Sequence, residues 1–237
     1  MTSVKICGLH PSDDTSFTKA DVVTHVGIIF VSQSRRYVTP ADARKITTSV
    51  AAGCQVMGVF ANQSVEQVYE TLRTSGCQGA QLHGEETPDV CEELRSAGFV
   101  TWKALSIPTS SPDSSELTAL MVCEARKYAR SVDALLLDAK PKGHAPKNVT
   151  GGHGESFEWS VLPRFLEEWR LLTDIPVWIA GGLRPDNVHS LFELCNPDGI
   201  DVSSGVEEHG RKSPRLIHDL IEKVETRERN ELRSESL

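Results

Sequence analysis

Paired cysteines, an excess of positive charge, long apolar runs and nucleotide fingerprints are all missing from this chain, and each gap removes a class of function. Six cysteines (Cys7, Cys54, Cys77, Cys91, Cys123 and Cys195) lie far apart in 237 residues, with no C-x-x-C pair among them. A chain of this length has no need of disulfide staples, so the spacing predicts reduced thiols and a cytoplasmic protein. Lysine and arginine number 25 against 33 aspartates and glutamates, a formal charge of -8, which argues against nucleic acid or an anionic membrane as the main partner. Any anionic ligand has to be held by a local arrangement. No apolar run approaches the roughly 20 residues of a membrane span, and the amino terminus shows no charged-then-apolar signal. The eight histidines lack H-x-x-x-H spacing and none is paired with a nearby cysteine or acidic cluster, so no metal is expected. Walker and kinase patterns are absent as well. With no cofactor implied, the chemistry falls to side chains.

What is present is a regular alternation. Short apolar runs fall at Val4 to Gly8, His25 to Phe30, Gln55 to Phe60, Gly79 to Gly84, Phe99 to Ile107, Ala134 to Asp138, Pro176 to Gly182 and Gly199 to Gly205, with helical segments between them. Thr39-Pro40, Thr87-Pro88 and Ser213-Pro214 each set a hydroxyl before a proline, the pattern of a helix start. Ser64 to Gln67 reads as a capping box, and Gly53, Gly76 and Gly98 as left-handed helix stops. Eight strand–helix units predict a parallel sheet closed into a single-domain (β/α)₈ TIM barrel over residues 1–225, with its site at the strand carboxyl ends. An open doubly wound sheet is the competitor, and its glycine-rich fingerprint after the first strand is missing. The first helix is weakly written: Pro11 to Ser16 is turn-like and only Phe17 to Val23 has apolar spacing. Loops from Ser106 to Ser115 and from Ala139 to Glu158 are long, and the charged segment 226–237 is expected to fray.

The first strand carries the central anomaly. Its period of two sends Lys5 and Cys7 to one face, and a buried ammonium is costly without a carboxylate partner. Asp201 and Ser203 share a face of the last strand, which predicts that the two ends of the chain meet through Lys5 and Asp201. Cys7 and Asp138 each close a strand, so a thiolate and a carboxylic acid can face one cavity as base and acid. Gly181-Gly182 and Ser203-Ser204-Gly205 put bare backbone amides after strands seven and eight, where barrels commonly bind phosphate. Arg36, in Ser34 to Tyr37, offers a guanidinium for a ligand carboxylate, although a solvated arginine pair is the simpler reading of that segment alone. Gln81 and His83 share the inward face of strand four. An inward histidine is more often hydrogen-bonded core than catalyst, and His83 is assigned no role.

Taken together these pieces resemble one family, phosphoribosylanthranilate isomerase of tryptophan biosynthesis. The matching segments are Lys5 to Gly8, Gly27 to Phe30, Ser34 to Tyr37, Gly58 to Phe60, Gln81 to Gly84, Leu137-Asp138, Gly151 to Trp159, Gly181 to Leu183 with Pro185 and Asn187-Val188, and Asp201 to Glu207, in order along nearly the whole chain. The resemblance implies an Amadori rearrangement without cofactor, converting N-(5'-phosphoribosyl)anthranilate into its 1-deoxyribulose phosphate aminoketose. It implies Cys7 as general base and Asp138 as general acid. It also implies Arg36 on the anthranilate carboxylate, with the loops of Gly152 and Gly154, Gly181 and Gly182, and Ser203, Ser204 and Gly205 on the phosphate. Lys5, on Cys7's face, is expected to lower the thiol's pKa, an effect that an ion pair with Asp201 would blunt.

Two segments depart from the family pattern. Leu9-His10-Pro11 replaces a hydroxyl-containing turn, and Gly151-Gly152-His153-Gly154 follows an insertion with Lys142, His144 and Lys147 and lacks the family's threonine. The rival readings are a histidine-pathway or bifunctional aminoaldose isomerase, against which Cys7 tells because those enzymes carry aspartate there, and a catalytically silent phosphate-binding barrel. The expected partner is a small phosphorylated substrate, with no nucleic acid or membrane, in a monomer or homodimer.

Overall fold

Each short apolar run becomes a strand because its alternate residues fill two separate cores, one inside a ring of strands and one between that ring and the helices. The computed structural model describes residues 2–107, 114–139 and 159–234. Eight parallel strands close in chain order: β1 (Ser3–Cys7), β2 (Val23–Ile29), β3 (Gln55–Phe60), β4 (Gly79–Leu82), β5 (Val100–Ile107), β6 (Ala134–Ala139), β7 (Val177–Ala180) and β8 (Gly199–Val202), with β8 paired back to β1. The outer layer is α1 (Pro40–Thr47), α2 (Val65–Ser75), α3 (Pro88–Ser96), α4 (Ser114–Arg126), α5 (Leu162–Arg170), α6 (Val188–Leu194) and α7 (Pro214–Ser234). The chain is a TIM barrel, as the alternation predicts.

Helix starts follow their local chemistry. Thr39 accepts from the Asp42 amide at 3.1 Å, and Ser64 and Gln67 form the reciprocal capping box. Gly76 caps α2 in the left-handed region at φ 76°, and Gly98 follows α3 at φ 89°. Gly53 does not behave this way: α1 ends at Thr47 with a right-handed Thr48 cap, and Gly53 is absent from the positive-φ residues. The weakly written first helix is a single 3₁₀ turn, Ser16–Lys19, pinned where Thr18 Oγ1 accepts from the Ala51 amide at 3.0 Å.

The expectation of a frayed tail from residue 226 is corrected as far as Ser234. Ile217, Leu220, Ile221 and Val224 bury one face of α7 at helical spacing, and the helix continues because its next turn is tied to the other end of the chain. Glu228 accepts from the Thr2 amide at 2.6 Å, Arg227 donates to Thr2 Oγ1 at 2.6 Å, and the Arg227 guanidinium lies 4.3 Å over the Phe192 ring.

Inside the barrel the lower part is plugged by aromatic rings. His25 packs against Trp102 and Trp178 at centroid distances of 4.7 and 4.9 Å, and the two indoles are 4.6 Å apart. Burial, with help from the Lys5 charge, pushes the His25 imidazole down to about 4, so it stays neutral. The interior above this plug turns polar toward the strand carboxyl ends.

Candidate active site

At the end of β1, Lys5 and Cys7 point inward, as the strand period requires, and the partner demanded by a buried ammonium is where the sequence placed it. Lys5 is wholly buried and its Nζ lies 3.1 Å from Asp201 Oδ1, the residue directly across from it on β8. Burial works against the Lys5 charge, but Asp201 and the Cys7 thiol together hold its pKa above the ordinary value. Asp201 is pushed up by the same burial, against the pull of Lys5, and also feels Asp138 and His83.

Register then fixes who shares the mouth. Asp138 on β6 lies across from Ala180 on β7, Ala180 from Asp201 on β8, and Asp201 from Lys5 on β1, a row running across four strands with Cys7 two residues further up. Cys7 and Asp138 thus face one opening. The Asp138 carboxylate is not enclosed: its side chain is 28% exposed, and Oδ2 lies 3.1 Å from His83 Nε2, a partner the sequence reading passed over.

The thiol is nearly inaccessible, and burial pushes its pKa up despite the opposing Lys5 ammonium. Lys5 therefore moderates the shift without reversing it. Room for the sulfur comes from Gly27, its register partner on β2, where a Cβ would lie 2.6 Å from Cys7 Sγ and 3.0 Å from Lys5 Nζ. Gly27→Ala is expected to fold and yet lose about 100-fold in kcat, the scale of an ångström's misplacement of a reacting group. Steady-state kinetics beside a thermal melt checks this, and an unchanged kcat would show that the sulfur's position is unimportant.

The cationic side of the mouth is built by a hairpin. β9 (Glu207–Glu208) and β10 (Arg211–Lys212) pair antiparallel around His209 and Gly210, both at positive φ, which sets Glu207 opposite Lys212. Glu207 takes Arg36 in bidentate fashion, Nε to Oε1 at 2.6 Å and Nη2 to Oε2 at 2.9 Å, and also meets Arg35 and Lys212 at 2.9 and 3.0 Å. Burial opposes the Glu207 charge, yet Arg36 and Lys212 hold its pKa down to about 2. Arg36 is buried, which overturns the solvated-pair reading of that segment; Arg35 remains half exposed. Three cations around one carboxylate leave a positive excess. The sequence reading missed Lys212, whose Nζ also donates to Ser203 O at 2.8 Å; a short turn between two charged dipeptides was its only signal.

At the ends of β7 and β8, Gly181 and Gly182 both adopt positive φ, 98° and 64°, and Asn187 ties their loop through its Nδ2 to Gly182 O at 2.9 Å. Ser204 to Val206 form a 3₁₀ turn against it, and a side chain on Gly205 would run into the Leu183 carbonyl. Ser203 Oγ is buried with no hydrogen-bond partner among the described residues. Gly152 and Gly154, with the insertion before them, lie outside the described residues. No group of three or more candidate metal ligands occurs among the described residues, and no described helix is long and apolar enough to cross a membrane.

A family model described as N-(5'phosphoribosyl)anthranilate (PRA) isomerase matches residues 4–223. A protein of Thermotoga neapolitana named N-(5'-phosphoribosyl)anthranilate isomerase is 35% identical over 225 residues, spanning 94% of this chain and 98% of the relative. Among solved structures, the N-(5'-phosphoribosyl)anthranilate isomerase of Pyrococcus furiosus aligns over 95% of this chain and 100% of its own, with a TM-score of 0.78 and 25% identity. A phosphoribosyl anthranilate isomerase in complex with reduced 1-(o-carboxyphenylamino)-1-deoxyribulose 5-phosphate aligns over 94% of this chain and 97% of its own, with a TM-score of 0.73 and 27% identity.

Proposed function

Because this chain belongs to the N-(5'-phosphoribosyl)anthranilate isomerase family, and so catalyses an intramolecular aldose–ketose conversion in tryptophan biosynthesis, we propose that Cys7 and Asp138 are the base and acid of that reaction. The observation that carries the assignment is the row Asp138, Ala180, Asp201, Lys5 with Cys7 above it, which brings sulfur and carboxyl to one mouth.

The chemistry follows from those two groups. Asp138 gives a proton to the furanose ring oxygen while the anthranilate nitrogen lone pair expels it, so the C–O bond breaks and a C=N bond forms. The resulting Schiff base acidifies the hydrogen on the second sugar carbon. Cys7 thiolate removes that proton, the C–H electrons move toward nitrogen, and the enolamine tautomerises to the ketone. A buried thiol that resists ionisation in the free enzyme gains from this order of events, since the cationic imine next to it favours the thiolate.

The ends of the substrate are held by fixed groups. With Nε and Nη2 of Arg36 taken by Glu207, the Nη1 side of the guanidinium meets the anthranilate carboxylate. The phosphate takes the amides of Gly181, Gly182, Ser204 and Gly205 and the hydroxyl of Ser203, with Gly152 and Gly154 assigned to it by the family resemblance. The six free thiols suit action in a reducing cytoplasm, and the ligand is a small phosphorylated molecule.

Turnover of freshly generated N-(5'-phosphoribosyl)anthranilate by the purified chain tests this reading, and its absence would overturn it. For the phosphate end, Gly205→Ala is expected to raise KM and the inhibition constant for inorganic phosphate together, by about tenfold or more, because the new methyl displaces the loop from Leu183. Unchanged phosphate inhibition would move the anion site elsewhere.

A further inference from the structure

We propose that His83 is the positioning residue through which Asp138 holds and recovers the proton it delivers, an inference that rests on the isomerase reading above. The difficulty it resolves is chemical. A general acid working near neutrality needs its proton there, and an imidazole, unlike an isolated aspartate, exchanges one between about pH 5 and 8.

The geometry is specific. His83 Nε2 lies 3.1 Å from Asp138 Oδ2, with both side chains 28% exposed at the mouth, so the pair meets both substrate and solvent. Its mount is rigid: the His83 amide donates to Phe60 O at 2.8 Å, and the loop immediately after it is clamped by a buried ion pair. In that clamp Lys103 Nζ lies 2.8 Å from Glu86 Oε2 and donates to Gly84 O at 2.7 Å, while Glu86 accepts from the amides of Asn62 and Gly84. Beneath the ring sits Gln81, 1% exposed, with Nε2 3.5 Å from His83 Nδ1 and Oε1 buried without a partner among the described residues. An amide nitrogen facing Nδ1 makes that atom an acceptor and puts the ring proton on Nε2, toward Asp138. Turning the same amide over would bring Oε1 to Nδ1 of a doubly protonated ring and leave the amide Nε2 in the position that now lacks a partner among the described residues.

The charged groups around the pair fit this task. Asp201 on β8 feels both Asp138 and His83, Lys5 on β1 pairs with Asp201, and Cys7 stands beyond Lys5. In the reaction the doubly protonated ring passes its Nε2 proton to Oδ2, and the carboxylic acid so formed gives it to the ring oxygen as its C–O bond breaks. Asp138 is left as carboxylate and His83 neutral. The exposed imidazole then regains a proton from water.

His83→Asn and His83→Gln each keep a donor for Asp138 and remove the exchangeable proton. Both are expected to lower kcat roughly 100-fold with KM within a few-fold, and to move the alkaline limb of the kcat–pH profile to lower pH. Added imidazole is expected to restore part of the rate in His83→Ala. An amide variant with kcat within about threefold of wild type and an unmoved alkaline limb would overturn the inference, and so would His83→Ala unresponsive to imidazole. These outcomes bear on His83 alone, since failure of the isomerase reading shows in the wild type.

Discussion

Cys7→Ser is expected to lower kcat/KM for N-(5'-phosphoribosyl)anthranilate by about 1,000-fold or more while leaving the fold and the phosphate affinity intact. Serine is close to cysteine in size, and the slot beside Gly27 admits it, so the change is chemical. A hydroxyl is a far weaker acid than a thiol, and burial, which already pushes the thiol up, penalises an alkoxide on the same terms. The sign carries over to pH. Desolvation disfavours the anion, so alkylation of Cys7 in the free enzyme should keep rising beyond the region near pH 8.5 where an ordinary thiol levels off. Mass mapping of the modified cysteine separates it from the exposed Cys123. A serine variant within tenfold of wild type would remove Cys7 from the base role.

Asp138→Asn is expected to cost roughly 100- to 10,000-fold in kcat, with KM little changed. Asparagine retains the size of the side chain and can still meet His83, so only the transferable proton is lost. Ring opening, and not the later proton abstraction, should then limit the rate. A substrate supplied already opened, as the Schiff base or a chemical surrogate for it, should recover most of the lost rate in Asp138→Asn and none of it in Cys7→Ser. Equal rescue of the two variants would contradict the division of labour between them.

Much of this was legible in the sequence because it is local or because it is forced. Strand positions followed from the short apolar runs, with ends off by up to three residues, and the Ser64 cap from one tetrapeptide. The Lys5–Asp201 pair was readable because a buried ammonium needs a carboxylate and the last strand carries one on the matching face. Gly53 misled because a glycine after a helix is equally compatible with a turn once the helix has stopped earlier, at Thr47. The tail misled because its charge hides three specific partners, Thr2, Asn196 and Phe192, all distant in sequence. His83 and Lys212 escaped for a related reason. His83 meets Asp138 only once β4 and β6 are bent into one ring, and Lys212 reaches Glu207 only through a hairpin whose turn residues are histidine and glycine.

One measurement bears most directly on the pairing of sulfur and carboxyl over a single sugar. Substrate carrying deuterium at the second sugar carbon is mixed with wild type, Cys7→Ser and Asp138→Asn, and kcat/KM is compared with that of the protiated substrate. The account predicts a primary isotope effect in the wild type that shrinks in Asp138→Asn, where ring opening limits, and a Cys7→Ser enzyme that barely turns over either substrate. A Cys7→Ser enzyme with wild-type rates and an undiminished isotope effect would mean that another group takes the proton.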